Sequence, residues 1–270
     1  MKRMSMVRLW LSFLFCCCAL IPALAPAQDV PNKQAVLGQA RDAYYNLRNQ
    51  GLASFQCDVT PNWELLLQNE RKQNPAGADT AIQTLSQIHF TTSLAADNTV
   101  KVTHNNLPGQ SEDMMKALSQ IYGGMEQMAS GFFDTWKLFM LSAPFPEVTS
   151  EYQLQSLPTQ YQLSYKEGTT DVVTTMSRDF AISNMQINNS EFTSSIQPTF
   201  TRTAQGLRLN GYEASYQSAK AEETTHLRVS IDYQDVNGLS MLQKLSLSGS
   251  YGGAPFAIEL GFSGCQVTKK

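Results

Sequence analysis

The chain has 270 residues, 20 basic and 23 acidic, for a formal charge of −3. That balance offers no basic face for phosphate contacts, so nucleic acid is excluded as a partner. Charged residues make up only 16% while Ser, Thr, Gln and Asn are abundant, a mix that suits a β-sheet with one uncharged polar face.

The chain opens with Lys2, Arg3 and Arg8 and no acid, then an apolar run over residues 9–21 broken only by Ser12. Pro22 and the small-residue string Ala23-Leu24-Ala25-Pro26-Ala27 follow. This is the signal-peptide pattern, and the run is too short for the usual transmembrane span. Cleavage after Ala25 would leave Pro26 first, which signal peptidases accept poorly, so residues 1–27 are expected to be removed after Ala27. Leu14 and Phe15 before Cys16 are too bulky for a lipoprotein cleavage site. The expectation is therefore a periplasmic or secreted product without a membrane span, folded as one domain over residues 28–270. Losing three basic residues and no acid leaves 17 against 23, a formal charge of −6.

Cys16, Cys17 and Cys18 leave with that segment, and Cys57 and Cys265 remain. An even pair in an oxidising compartment reads as a disulfide, which would lay the first strand beside the last.

In chain order, Val36, Ala40, Ala43, Tyr44 and Leu47 predict a helix over 32–50, stopped at Gly51. Phe55, Cys57 and Val59 alternate with polar residues as a strand does up to Pro61; residues 62–70 fit either helix or strand. Asn74-Pro75-Ala76-Gly77 reads as a loop, and a short helix is expected over 80–88. Phe90, Thr92 and Leu94 run to Asp97-Asn98, and Val100 and Val102 run back, which predicts a hairpin.

Ser111-Glu112-Asp113 suits a helix N-terminus. One apolar row then runs through Met114, Leu118, Ile121, Met125, Met128, Phe132 and Phe139. A second runs through Met115, Tyr122, Ala129, Phe133, Trp136 and Met140. Together they are wider than packing on one sheet requires. Gly123-Gly124 invites a kink or break, and Pro144 and Pro146 end the segment.

From residue 150 onward strand follows strand. Tyr161, Leu163 and Tyr165 alternate, as do Val172, Thr174 and Met176, with further strands over 180–187, 192–203 and 207–216. Leu227, Val229, Ile231 and Tyr233 alternate with polar neighbours, Asn237-Gly238 turns, Leu245 and Leu247 follow, and after Gly252-Gly253 come Phe256, Ile258, Leu260 and Phe262. This predicts an antiparallel sheet wet on one side. Cys57 falls in an apolar row but Cys265 in a polar one, so the bridge requires a bulge at Gly261 or Gly264.

The element order, with the stretch Tyr233-Gln234-Asp235-Val236-Asn237-Gly238-Leu239 entering the late strands, resembles the LolA/LolB-like lipoprotein carriers of the bacterial envelope. The resemblance implies an α+β half-barrel: a strongly curved antiparallel sheet with helices covering its concave face around an apolar cavity. Outer-membrane carriers hold the lid with an arginine on an early strand. The strand at 53–59 has none, and no residue is given that role.

Catalytic signatures are missing from the sequence. His89 and His104 should come close across the hairpin, but no Cys, Asp or Glu joins them at ligand spacing, so they read as strand-end polar residues and no metal is assigned. No Gly-x-Ser-x-Gly turn or phosphate loop occurs. Asn188-Asn189-Ser190 fits a glycosylation acceptor by pattern alone. The expectation is a non-catalytic monomer without cofactor.

Five of the eight methionines beyond residue 27 lie in 114–140, and methionine adapts to ligands of varied shape. Met114, Leu118, Ile121, Met125, Met128, Phe132, Phe133, Trp136 and Phe139 are therefore the expected cavity or lid residues, with Gly123 and Gly124 as hinge. The partner would be a lipid or acylated ligand. The alternative is an envelope protein as partner, with the helix a fixed part of the core.

Overall fold

The computed structural model describes residues 32–109, 111–219, 224–251 and 253–270. The expected signal segment with Cys16, Cys17 and Cys18 lies outside the described residues, as does Gly252 of the last turn.

Helix α1, Lys33–Asp42, starts under Asn32, whose side chain accepts from the amides of Gln34 (3.0 Å) and Ala35 (3.3 Å). It buries Val36, Leu37 and Ala40 and ends eight residues short of the 32–50 expectation. Tertiary bonds outcompete the helical ones there. Leu207 N donates to Ala43 O (2.8 Å), Tyr45 N to Leu207 O (3.0 Å) and Leu47 N to Met140 O (2.8 Å), which pulls the chain into an extended strap. The Tyr44 hydroxyl fixes the strap further, donating to Phe180 O (2.8 Å) and accepting from Ile182 N (2.9 Å).

Strand β1, Leu52–Pro61, is followed by two short helices where periodicity was undecided, α2 Trp63–Leu66 and α3 Gln68–Gln73. The expected loop at Asn74 is instead the start of α4, Pro75–Leu85. Asn74 caps it by accepting from Gly77 N (3.1 Å), and Pro75 sits at a first-turn position that has no amide to lose. Strands β2, Phe90–Leu94, and β3, Val100–His104, form the expected hairpin, turning through Asn98 at φ 67°.

After the long helix α5, Glu112–Met140, nine strands form a meander. They are β4 Tyr152–Ser156, β5 Gln160–Glu167, β6 Thr170–Ser177, β7 Ile182–Asn188, β8 Phe192–Thr203, β9 Gly206–Ser218, β10 Thr225–Val236, β11 Leu239–Tyr251 and β12 Ala254–Lys269. Asn237 (φ 55°) and Gly238 (φ 78°) make the β10–β11 turn, both in the left-handed region such hairpins require. The result is α+β: one antiparallel sheet of twelve strands in the order β3-β2-β1-β12-β11-β10-β9-β8-β7-β6-β5-β4. No ladder joins β3 to β4 among the described residues, so the sheet is open.

One sheet face is apolar and covered, with Leu163, Met185, Val229, Ile231, Leu245 and Leu260 buried on it. The other carries exposed polar residues such as Asp58, Arg228 and Ser248. None of the described helices is long and apolar enough to cross a membrane.

Cys57 and Cys265 are joined by a disulfide, with Cα atoms 4.1 Å apart. The register explains how residues from an apolar and a polar row can meet. Gln56 pairs with Gln266 but Asp58 with Ser263, so Cys57 faces both Gly264 and Cys265. This is a β-bulge at Gly264, one of the two glycines the bridge required. Its φ is 57°, and a Cβ there would stand 2.9 Å from the Asp58 carboxylate. Gly261 pairs regularly with Thr60.

Candidate functional site

Helix α5 starts where Ser111 accepts from Met114 N (3.3 Å), with Glu112 and Asp113 favourably placed at the positive end of the helix. It runs unbroken through Gly123 and Gly124 for 29 residues, roughly 43 Å at the standard rise. Its ring contacts trace a path across the strands. Tyr122 stacks on His104 of β3 (centroids 3.7 Å apart) and meets Phe90 of β2 edge-on (6.3 Å). Phe133 and Trp136 pack on Phe55 of β1 (6.4 and 6.1 Å), and Phe139 packs on Phe200 of β8 (5.8 Å). Thr135 hydrogen-bonds Tyr212 of β9. Burial pushes the Tyr212 phenol up to about 12, partly offset by that bond. The helix therefore crosses the sheet rather than running along it.

Between helix and sheet lies an apolar gap of about 10 Å³. Met125, Ala129, Phe132 and Phe133 line it from above, and Val59, Thr92, Leu245 and Phe262 are among the residues below. That is room for about one water molecule and far too little for an acyl chain. The Thr92 hydroxyl, fully buried, has no hydrogen-bond partner. Larger hollows lie on polar surfaces, such as a space of about 620 Å³ between Asp58, Trp63 and His89.

The nine expected lid residues divide by depth. Met125, Phe132 and Phe133 line the gap. Leu118, Trp136 and Phe139 are buried elsewhere along the same interface, and Ile121 and Met128 are half-buried. Met114 is 41% exposed and stands apart from the rest, as does Met115 at 54%. Gly123 and Gly124 lie on the exposed side, and a Cβ at either would meet nothing within 4 Å. The sheet side of the gap was not singled out from the sequence. Alternation marks Val59 and Phe262 as facing the core but does not reveal which strands pass beneath the helix.

The histidine pair is held at the mouth of the β2–β3 hairpin. His104 pairs with Phe90, and the Asn105 side chain accepts from His89 N (2.7 Å). Among the described residues no three or more His, Cys, Asp or Glu side chains gather as metal ligands would.

A second group lies at the Trp136 end. The β9–β10 ladder stops at the pair Gly211 and Ser230, although both strands continue past it. Beyond that point the Arg208 guanidinium lies over the Tyr233 ring (4.7 Å) and Nη1 donates to Ser240 Oγ (3.0 Å). The Tyr233 hydroxyl lies beside the Trp136 indole, and burial raises its pKa well above the ordinary range. Tyr45 Oη accepts from Ser240 N (3.0 Å). Alternation gives no hint of this group, because Arg208 sits between Leu207 and Leu209 and reads as an outward-facing residue.

No protein-family model, curated protein or solved structure matches the chain.

Proposed function

We propose that this is an exported, non-catalytic binding protein that carries or receives a lipid or acylated ligand between α5 and the apolar sheet face. In this reading the sheet is a strongly curved half-barrel similar to those of LolA/LolB-like carriers, and α5 is its lid. The observation that carries the reading is the α5 interface itself. A methionine- and aromatic-rich helix covers an apolar gap, and two adjacent glycines sit in that helix where packing asks for none. Glycine weakens a helix by about 1 kcal/mol per residue relative to alanine. A lid gains a flexible point from that weakness; a fixed core helix gains nothing. The described conformation would then be the closed one, and α5 must lift to admit a chain.

Replacing both glycines by alanine should therefore raise stability by about 2 kcal/mol, summing the two positions. It should also slow uptake of a fluorescent fatty acid, followed through probe emission and through Trp136. The small gap favours a second reading, an envelope interaction module in which α5 completes the core. That reading expects the same gain in stability with no probe bound by either protein, and such a result would eliminate the carrier.

The proposed compartment is the periplasm or the exterior, reached by cleavage after Ala27. N-terminal sequencing of exported material should begin at Gln28. A start at Met1, or an acylated cysteine, would place the protein on the membrane instead.

A further inference from the structure

Among the described arginines, Arg208 is half-buried and is set apart by how few partners it has. Arg41, Arg71, Arg202 and Arg228 each meet a carboxylate within 4.0 Å. Arg48 is surrounded by acceptors, among them the carbonyls of Leu52, Ala53 and Ala95. Arg178 donates to Ser156 Oγ and Leu157 O. A guanidinium carries five N–H donors, yet among the described residues Arg208 has one hydrogen-bond acceptor, Ser240 Oγ, and no carboxylate. Its Nε is buried with no partner. Two more polar groups of the same cluster face each other, the Trp136 indole nitrogen, on a fully buried side chain, and the Tyr233 hydroxyl, and neither has a further partner among the described residues. Leaving the guanidinium Nε out of water without a partner is unfavourable, and an oxyanion would relieve it while accepting from the nearby Tyr233 hydroxyl.

We propose that Arg208 and the Tyr233 hydroxyl, whose oxygen the Trp136 indole N–H faces, form an anion site for a carboxylate or phosphate group. Where the carrier reading holds, this group is the head of the bound lipid, because Trp136 packs on Phe133 (5.8 Å), which lines the apolar gap. The identity of the headgroup rests on that reading. The anion site stands without it, since inorganic phosphate presents the same chemistry. The β9–β10 ladder has already ended at this level, so no backbone bonds between those two strands close the place off.

The test compares palmitate, hexadecanol and inorganic phosphate near neutral pH, read by Trp136 emission and by melting temperature. Palmitate should bind the parent about tenfold or more tightly than hexadecanol, as a charge-assisted bond requires. In Arg208→Gln that preference should vanish. Phosphate should raise the melting temperature of the parent and leave that of Arg208→Gln where it is. Phosphate stabilisation with neither lipid bound would support the anion site and remove the carrier. Equal affinities for palmitate and hexadecanol, with no phosphate effect, would overturn the anion site and leave the carrier standing. No response to any of the three ligands would overturn both. These comparisons use the parent protein, so they decide the matter even if Arg208→Gln does not fold.

Discussion

Cys57→Ser should lower the melting temperature by more than any other single polar substitution in the molecule. The bridge closes a loop with a sequence separation of 208, for which the chain-entropy model gives about 5 kcal/mol as an upper figure. Cys265→Ser should cost the same, and the double variant no more than either single one, because the bridge acts as a unit. The fold should persist, since the hydrogen bonds of the β1–β12 ladder on either side of Cys57 do not depend on the sulfurs. Thermal denaturation with and without reductant measures the effect. Two titratable thiols in denaturant without reductant, or single variants that melt with the parent, would contradict it.

Trp136→Ala should cost about 3–5 kcal/mol, the range for deleting a large buried ring. Trp136 is fully buried and makes edge contacts with Phe55 of β1 (82° between planes), which holds the C-terminal part of α5 on the sheet, and with Phe133 of its own helix (87°). Trp136→Phe should cost far less. It keeps an aromatic ring in the same place and gives up only the indole N–H that faces the Tyr233 hydroxyl. Urea denaturation followed by circular dichroism separates the two, and equal losses would show that the ring contacts do not anchor the helix. The alanine variant also opens apolar space next to the present gap. A protein that binds acyl chains there should then take up an apolar probe more readily, despite being less stable.

Much of this architecture can be read from residues, and the exceptions have physical causes. The meander follows from alternation because consecutive strands pair, so local pattern and final neighbour agree. The pairing of β1 with β12 is nonlocal, and the two cysteines were the only sequence features that pointed to it; their mismatch of faces also pointed to the bulge at Gly264. Helix α1 ended early because Leu207 and Met140, far along the chain, supply better partners for the backbone of 43–47 than another helical turn would. Asn74-Pro75 misled because proline breaks a helix interior but suits its first turn. At the site, the periodicity of α5 identified its buried face, while its exposed beginning at Met114 and Met115 depends on where the sheet stops. The Arg208 cluster was invisible, since it exists only where two ladders part.

The strand order also sets a schedule for assembly. Every ladder but one joins strands that are consecutive in the chain, and the exception joins the first strand to the last. As the chain emerges from its N-terminus, the β1–β2–β3 unit and then β4 to β11 can each pair locally at low contact order. Strand β1 must wait with one edge open until β12 has been made. Up to that moment the two sections of sheet are tethered only by α5 and its flanking segments, and the exposed rim of β1 is the place where a stray strand could dock. The last of these pairings is thus the slow closure of one long-range seam, and thiol oxidation across it can follow only after Cys265 has been made and brought beside Cys57.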